Sequence, residues 1–182
     1  MDERSTPVIC ELDELIYYFV DDNEVLELIN SGSSYTMNDE SIVESKDELL
    51  RLRDSQSITF WDTTKITTME DMFYYKHNFN ELLLWNTKNV TNMYSMFRCA
   101  SSFNQSLEFN TDNVTNMSCM FYGASSFNRP LEFNTKNVTT MSHMFDDASS
   151  FNQPLEFNTK NVTNMYCMFN CSRMVKLPSW II

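Results

Sequence analysis

A unit of 24 residues is written five times in this 182-residue chain, and no copy gains or loses a residue against the next. Each copy contains Val/Ile-Thr-x-Met-x-x-Met-Phe, first from Ile66 to Phe73 and then from Val90, Val114, Val138 and Val162. An aromatic precedes it each time, as Trp61, Trp85, Phe109, Phe133 and Phe157. A single unit of this length cannot bury its own apolar face, so the units must stack on one another as a solenoid. That constrains the architecture strongly and the function weakly, because stacked repeats are generic binding surfaces.

The copy that starts at Phe103 shows how a unit should fold. Leu107 and Phe109 alternate with Ser106 and Glu108, the period of a short strand with one face inward. Asn110-Thr111-Asp112-Asn113 supplies turn residues. Val114, Met117, Met120 and Phe121 then follow at spacing that fits a short helix or helical turn facing the core. The expected fold class is therefore an α/β repeat solenoid. Short parallel strands form one face, short helices or turns the other, and a small helical cap sits at the N-terminus.

Stacking identical units aligns identical residues into ladders. The expected core ladders run from Met69 to Met165, Met72 to Met168, Phe73 to Phe169, Phe79 to Phe151 and Leu83 to Leu155. Regular inward spacing makes the methionines adaptable core packing rather than soft-metal ligands. The column Asn80/Asn104/Asn128/Asn152 should bond the backbone of adjacent units at a corner. The Asn-Val-Thr triplets at Asn89, Asn113, Asn137 and Asn161 match a glycosylation sequon, yet read here as part of the repeat's turn.

Charge divides the chain unevenly. Residues 1–58 hold 15 acidic and 4 basic side chains, a balance of −11, whereas the remainder holds 10 and 9, a balance of −1. No basic stripe is present, which argues against nucleic acid as a partner. No apolar run has the length of a membrane span, and Met1-Asp2-Glu3-Arg4 is not a signal-peptide start, so the expected location is intracellular. The five cysteines form no CxxC and read as reduced thiols.

Residues 1–56 follow other rules and read as an acidic helical cap, ahead of repeats at 57–172 and a degenerate closing segment at 173–182. Helices are expected where Leu12, Leu15, Ile16 and Phe19 recur, where Val25, Leu28 and Ile29 recur, and from Ser45 through Leu49, Leu50 and Leu52. The first two strands point to what the cap covers. Ile58 and Phe60, then Leu82 and Leu84, are apolar on the face that carries Ser106/Glu108, Pro130/Glu132 and Pro154/Glu156 later. Strands apolar on both faces should be covered on both. At the other end, Trp180 and Ile182 are candidates for an apolar hook through which copies self-associate.

The phrase from Asn113 to Leu131, Asn-Val-Thr-Asn-Met-Ser-Cys-Met-Phe-Tyr-Gly-Ala-Ser-Ser-Phe-Asn-Arg-Pro-Leu, resembles the BspA-like repeat. That family is related to leucine-rich repeats and occurs in bacterial surface proteins, protists and amoeba-infecting giant viruses. The Trp-Asp-Thr opening of its usual unit is kept at Trp61-Asp62-Thr63. The resemblance implies a solenoid with adhesive or protein-binding roles, and no catalytic residue. Without a lipoprotein signal, a viral or protist intracellular member (host cytoplasm or virion) fits better than a displayed one. The run Cys10 to Phe19 followed by Val25-Leu26-Glu27-Leu28 also resembles the start of an F-box, which implies a substrate adaptor for a ubiquitin ligase. A structural protein assembling through its stack ends is a third possibility.

No phosphate loop, GxSxG or dinucleotide fingerprint is present, so no enzyme and no cofactor is expected. Cys119, His143 and Cys167 share one offset in consecutive units and suggest zinc by residue type. Their outer members stand two units apart, about 10 Å, too wide for one tetrahedral site, and an offset that tolerates Asp, Ser, Cys and His reads as exposed. The better candidate is the strand face. There Glu108, Glu132 and Glu156 form a column of like charge, alongside Asn110, Asn134 and Asn158. Like charges on neighbouring strands destabilise a sheet unless screened, relieved or met by a basic protein partner.

Overall fold

In each unit the segment around Met-x-x-Met-Phe folds as consecutive tight turns, and these turns carry the backbone bonding between units. The computed structural model describes residues 10–12, 15–18, 27–29, 45–53, 59, 61–174 and 178–180. Within the first unit, the amides of Met72, Tyr74 and Lys76 bond back three residues to the carbonyls of Met69, Asp71 and Phe73. The alternate amides, of Met69, Asp71, Phe73 and Tyr75, donate instead to Asn92, Tyr94, Met96 and Arg98 of the next coil. The same set of four recurs at each of the four coil interfaces, with N···O distances of 2.7 to 3.1 Å. Nearly every amide of the segment is thereby paired, either locally or to the neighbouring coil.

What turns alternate amides outward is a left-handed residue every fourth position. One column is Asp71, Ser95, Cys119, His143 and Cys167, with φ between 52° and 57°. The other is Tyr75, Cys99, Gly123, Asp147 and Cys171, with φ between 52° and 64°. Only Gly123 adopts this conformation without a Cβ penalty, and a Cβ there would stand 3.2 Å from the Cys99 sulfur. The short helix expected over residues 114–121 is therefore replaced by turns, because each left-handed residue breaks the run of i→i−4 bonds before it forms.

The expected strands also differ. Residues 107–110, 131–134 and 155–158 keep their alternation of buried and exposed side chains. Among the described residues, however, no backbone bond joins one of these segments to the next. The parallel bridges are isolated: Leu83 to Leu107 on this side, and Thr68, Asn92, Asn116, Thr140 and Asn164 at the start of the turn ladder. Side chains hold this face instead. Buried Thr63, Thr87, Thr111 and Thr135 each donate Oγ1 to the Asn carbonyl 23 residues on, at 2.9 to 3.1 Å. Asn89, Asn113, Asn137 and Asn161 donate Nδ2 to carbonyls 25 residues back at 2.7 to 2.8 Å. Asn80, Asn104 and Asn128 accept, through Oδ1, the amides of Asn104, Asn128 and Asn152 at 2.8 to 3.0 Å.

Between the two faces lies a column of apolar side chains. Met69, Met93, Met117 and Met141, the matching Met72 to Met144 series and Phe73, Phe97, Phe121 and Phe145 are fully buried. The Phe73 to Phe169 rings stack from coil to coil at 5.2 to 5.6 Å. Each of Phe73, Phe97, Phe121 and Phe145 also lies 3.9 to 4.1 Å from a ring of the Phe79, Phe103, Phe127 and Phe151 column. The result is a continuous double stack of aromatic rings, each buried ring contributing about 2 kcal/mol by area alone.

Before the coils, β1 (Cys10–Leu12), β2 (Leu15–Tyr18) and β3 (Glu27–Ile29) form an antiparallel sheet in the order β1-β2-β3, with Glu11 opposite Ile16 and Tyr17 opposite Leu28. The first two expected helices are therefore strands. Ile and Tyr favour the pleated state, and the helical spacing of Leu12, Leu15 and Ile16 was equally compatible with two short strands. Of the two segments on which the F-box resemblance rests, the described residues lie in these strands rather than in helices. The third helix is α1 (Lys46–Arg53), capped where the Glu48 amide donates to Ser45 Oγ at 3.2 Å.

α1 meets the first coil. Leu49 is fully buried in the core, and Arg53 donates to the carbonyl of Met72. Its counterparts Met96, Met120 and Met144 accept amides from the preceding coil, so the guanidinium takes the place that such an amide holds in the later coils. Leu84 is 2 % exposed yet stands apart from the contiguous core, while Leu82 is half-buried. Ile58 and Phe60, the other two residues expected under a cap, lie outside the described residues, as does Ile182. No helix among the described residues is long and apolar enough to cross a membrane.

Replacing Thr111 with Val removes a buried donor at constant shape and strands the Asn134 carbonyl. The expected loss is about 1 to 3 kcal/mol in denaturant unfolding. A change within error would mean that water serves that carbonyl.

Candidate functional site

Glu108 and Glu132 come together with Asn110 and Asn134 around a shallow groove of about 400 Å³ on the face without a backbone ladder. Its floor is Leu107, Phe109 and Thr111, and Asn86, Lys88 and Asp112 complete the rim. The Leu107-Glu108-Phe109 alternation creates it: the apolar side chains turn inward and the carboxylate is left outside. Glu156 is exposed but lines a separate hollow of about 280 Å³ with Gln153, Pro154, Leu155, Met174, Pro178, Ser179 and Trp180. Asn158 lines neither.

The three glutamates have no hydrogen-bond or ion-pair partner among the described residues. Of the neighbouring cations, Lys88 lines the rim of the same groove without an ion pair to either glutamate, and the others are engaged elsewhere. Lys136 pairs with Asp112 at 3.7 Å, and Arg129 donates Nε to the Asn104 carbonyl at 2.8 Å. Arg98 lies over the ring of Tyr122 at 4.6 Å and that of Tyr74 at 5.6 Å. The asparagines are less free. Asn110, Asn134 and Asn158 each accept, through Oδ1, the amide two residues on at 3.0 to 3.2 Å, and so build the turn. Asn134 also donates Nδ2 to Asp112.

The Cys119/His143/Cys167 column occupies the left-handed positions, which explains why its residue types vary. It is not simply exposed: Cys119 and its counterpart Ser95 are buried, and His143 is half-buried. His143 Nδ1 bonds Asp146 Oδ2 at 2.8 Å, and Asp146 Oδ1 accepts Asn170 Nδ2 at 2.8 Å. No group of three metal-ligating side chains among the described residues is close enough to hold an ion. Burial pushes the Cys119 thiol above the usual range, opposed by the nearby Arg98 guanidinium. Burial and the Glu70 carboxylate raise the Asp71 carboxyl, opposed by Lys46 and Arg98.

Sequence reasoning passed over the surface on the turn side. Exposed Tyr74, Tyr75 and Tyr166 stand there with Arg98 between Tyr74 and Tyr122. The available signal was the pair of positions after each Met-Phe, which hold Tyr-Tyr, Arg-Cys, Tyr-Gly, Asp-Asp and Asn-Cys. Trp180, the suggested hook, is half-buried against Phe157 and Phe169, with ring centroids at 6.1 and 6.3 Å.

A family model described as "Mycoplasma protein of unknown function, DUF285" matches residues 44–132 and, overlapping them, 106–180. The chain belongs to this family. The match begins just before α1 and takes in every coil, so family membership rests on the repeats and the helix that closes their first turn. No curated protein and no solved structure matched the chain.

Thiol accessibility follows from this geometry. With iodoacetamide at mildly alkaline pH, among Cys99, Cys119, Cys167 and Cys171 the exposed Cys171 should alkylate first and Cys119 last, by at least about tenfold, as expected for a buried thiol of raised pKa. Peptide mapping of a time course reads the order; early labelling of Cys119 would show that its coil opens.

Proposed function

We propose that this chain is a non-catalytic protein-interaction module, a leucine-rich-repeat-like solenoid of the BspA-like kind, whose polar face receives a basic segment of a partner protein. The observation that carries the reading is the column of Glu108, Glu132 and Glu156. These are exposed carboxylates, one per coil, that form no ion pair among the described residues, the first two lining a groove whose rim also holds Lys88. Repulsion within such a column is relieved when lysine or arginine from a partner enters it, and the asparagines at its border supply polar contacts. The overall charge of −12 adds long-range attraction for a basic partner. α1, with Leu49 inside the core and Arg53 on the first coil, supports the role of the N-terminal segment as a cap.

The triple variant E108Q/E132Q/E156Q tests the face. On an array of Lys/Arg-rich 12-residue peptides at low salt, the native protein should bind a subset, and the variant should bind it at least about tenfold more weakly, a difference of about 1.4 kcal/mol. If the variant captures the same peptides equally well and only melts at a higher temperature, the column is strained surface and the reading fails. The cap has its own test. Leu84→Glu places a charge under the covering layer and should cost about 3 kcal/mol or more in unfolding free energy; a variant as stable as the native protein would remove the need for a cover there.

A further inference from the structure

On the turn side of the stack, one position per coil carries Tyr74, Arg98, Tyr122, Asp146 and Asn170 in succession. Arg98 is half-buried there, its guanidinium carbon 5.6 Å from the ring of Tyr74 and 4.6 Å from that of Tyr122. A guanidinium held in place by its neighbours commonly turns its donors to a carboxylate or a carbonyl. This one forms no ion pair among the described residues, and its Nε is buried without a hydrogen-bond partner. A second such donor lies in the same turn. Ser95 is 1 % exposed, its carbonyl accepts the Arg98 amide at 3.1 Å, and its Oγ is unbonded. Among the described residues, Trp180 Nε1 is the one other buried side-chain nitrogen or oxygen in that condition.

The two donors belong to one cluster. Burial raises the Cys119 thiol, and the Arg98 guanidinium and the Ser95 hydroxyl both oppose that rise, which sets the three groups together. What the cluster lacks is a good acceptor, since a guanidinium has none and a thiol is a weak one. The surroundings restrict the charge that such an acceptor can bring. Asp146 and Asp71 also act on the Cys119 thiol, and Asp146 before all else, with Asp147 behind it, raises the Tyr122 hydroxyl. A phosphate dianion would be repelled by these carboxylates, whereas a single carboxylate is balanced by Arg98. The approach is lined by phenol rings, of which Tyr74 is 40 % exposed and Tyr75 52 %. Such rings favour uncharged, partly apolar residues on either side of the carboxylate.

We propose that Arg98 and Ser95, between the rings of Tyr74 and Tyr122, form a second interaction surface that receives one carboxylate of a partner protein, set among uncharged residues. The carboxylate enters past the exposed ring of Tyr74 and accepts the Nε–H of Arg98 and the hydroxyl of Ser95. The partner's neighbouring residues lie against Tyr74, Tyr75 and Tyr122. Tyrosine and arginine are the residue types that anchor interfaces, and a guanidinium already held between two rings gives up little freedom on binding. The surface shares no residue with the glutamate column and takes a partner group of the opposite charge.

The probe is an array of peptides about 12 residues long, capped at both ends and uncharged except for one central Glu. Three matched forms accompany each: Gln in its place, phosphoserine in its place, and Gln with a free C-terminal carboxylate. The full-length protein should retain a subset of the Glu or free-terminus peptides at least about tenfold more tightly than their capped Gln forms, and the phosphoserine forms no more tightly than Glu. The free-terminus form tells a chain end from a side chain. Arg98→Lys keeps the charge but not the planar fork and should weaken binding about tenfold. Ser95→Ala should weaken it by a smaller factor, and E108Q/E132Q/E156Q should bind as the native protein does. With a retained peptide at saturation, the Arg98 Nε–H resonance of the native protein should shift, a reading that needs no variant. Equal retention of all carboxylate and capped Gln forms, undiminished binding to Arg98→Lys, tighter retention of phosphoserine, or an unmoved Nε–H resonance would each overturn the proposal.

Discussion

Everything regular in this structure depends on one hydrogen-bond ladder, in which alternate amides of each coil donate to the carbonyls 23 residues further on. That ladder fixes the period. A slip of one residue would bring each donor opposite a residue whose carbonyl already accepts a local bond in its own coil, as those of Met93, Ser95 and Phe97 do, so the ladder holds the turn segments in a single register. It also fixes the packing, since a constant period places Met over Met and Phe over Phe, and the rings stack at nearly constant spacing. A Phe in a liquid-like core would find many orientations; here each ring has the same neighbour above, below and beside it.

The ladder requires a left-handed residue at two positions per coil, and this explains what the sequence revealed and what it hid. Burial was legible, because the period repeats every inward position and Leu107, Phe109, Val114, Met117, Met120 and Phe121 are all inside. Conformation was not. Met117, Met120 and Phe121 have helical spacing, and nothing in Cys119 announces a left-handed residue, since glycine, the residue that would, occupies only Gly123 of the ten such positions. The strand face misled in the opposite way: alternation gave the right side chains their right sides, but alternation reports facing, not ladder bonds. The Thr63 to Thr135 column, which holds that face together, looked like turn chemistry in the sequence and is buried in the fold. Of the candidate site, Glu108, Glu132, Asn110 and Asn134 were brought together as the sequence implied, and the fold added Asp112 and Lys88 from the loops beside them.

The two outward faces differ in how the copies compare. On the strand face, coils three to five repeat Leu-Glu-Phe-Asn-Thr, and the Asn has work within the coil as the acceptor of its own turn. The glutamate has none there, yet it is unchanged in the three copies. On the turn face, positions equally tolerant of solvent hold Tyr, Arg, His, Cys, Ser and Asp in turn. Uniform freedom to vary would have left both faces mixed. A column that stays acidic without any bond to keep it so is therefore the part of the surface that structure alone does not account for.

A ladder whose backbone bonds nearly all point the same way gives the stack two unlike ends. Its first coil presents carbonyls, and its last presents amides. The acceptor end suits a cation, and Arg53 at the C-terminus of α1 fits there doubly, as a donor to Met72 and as a positive charge at the helix end where the dipole favours it. Among the described residues no side chain serves the donor end in the same way. Lysine and arginine carry no acceptor, and a carboxylate reaching over Phe169 would give up its own hydration to serve one or two of four amides spread along a bending chain. The polarity of the ladder thus gives its two ends unlike chemistry, and among the described residues the acceptor end is the one that a side chain meets.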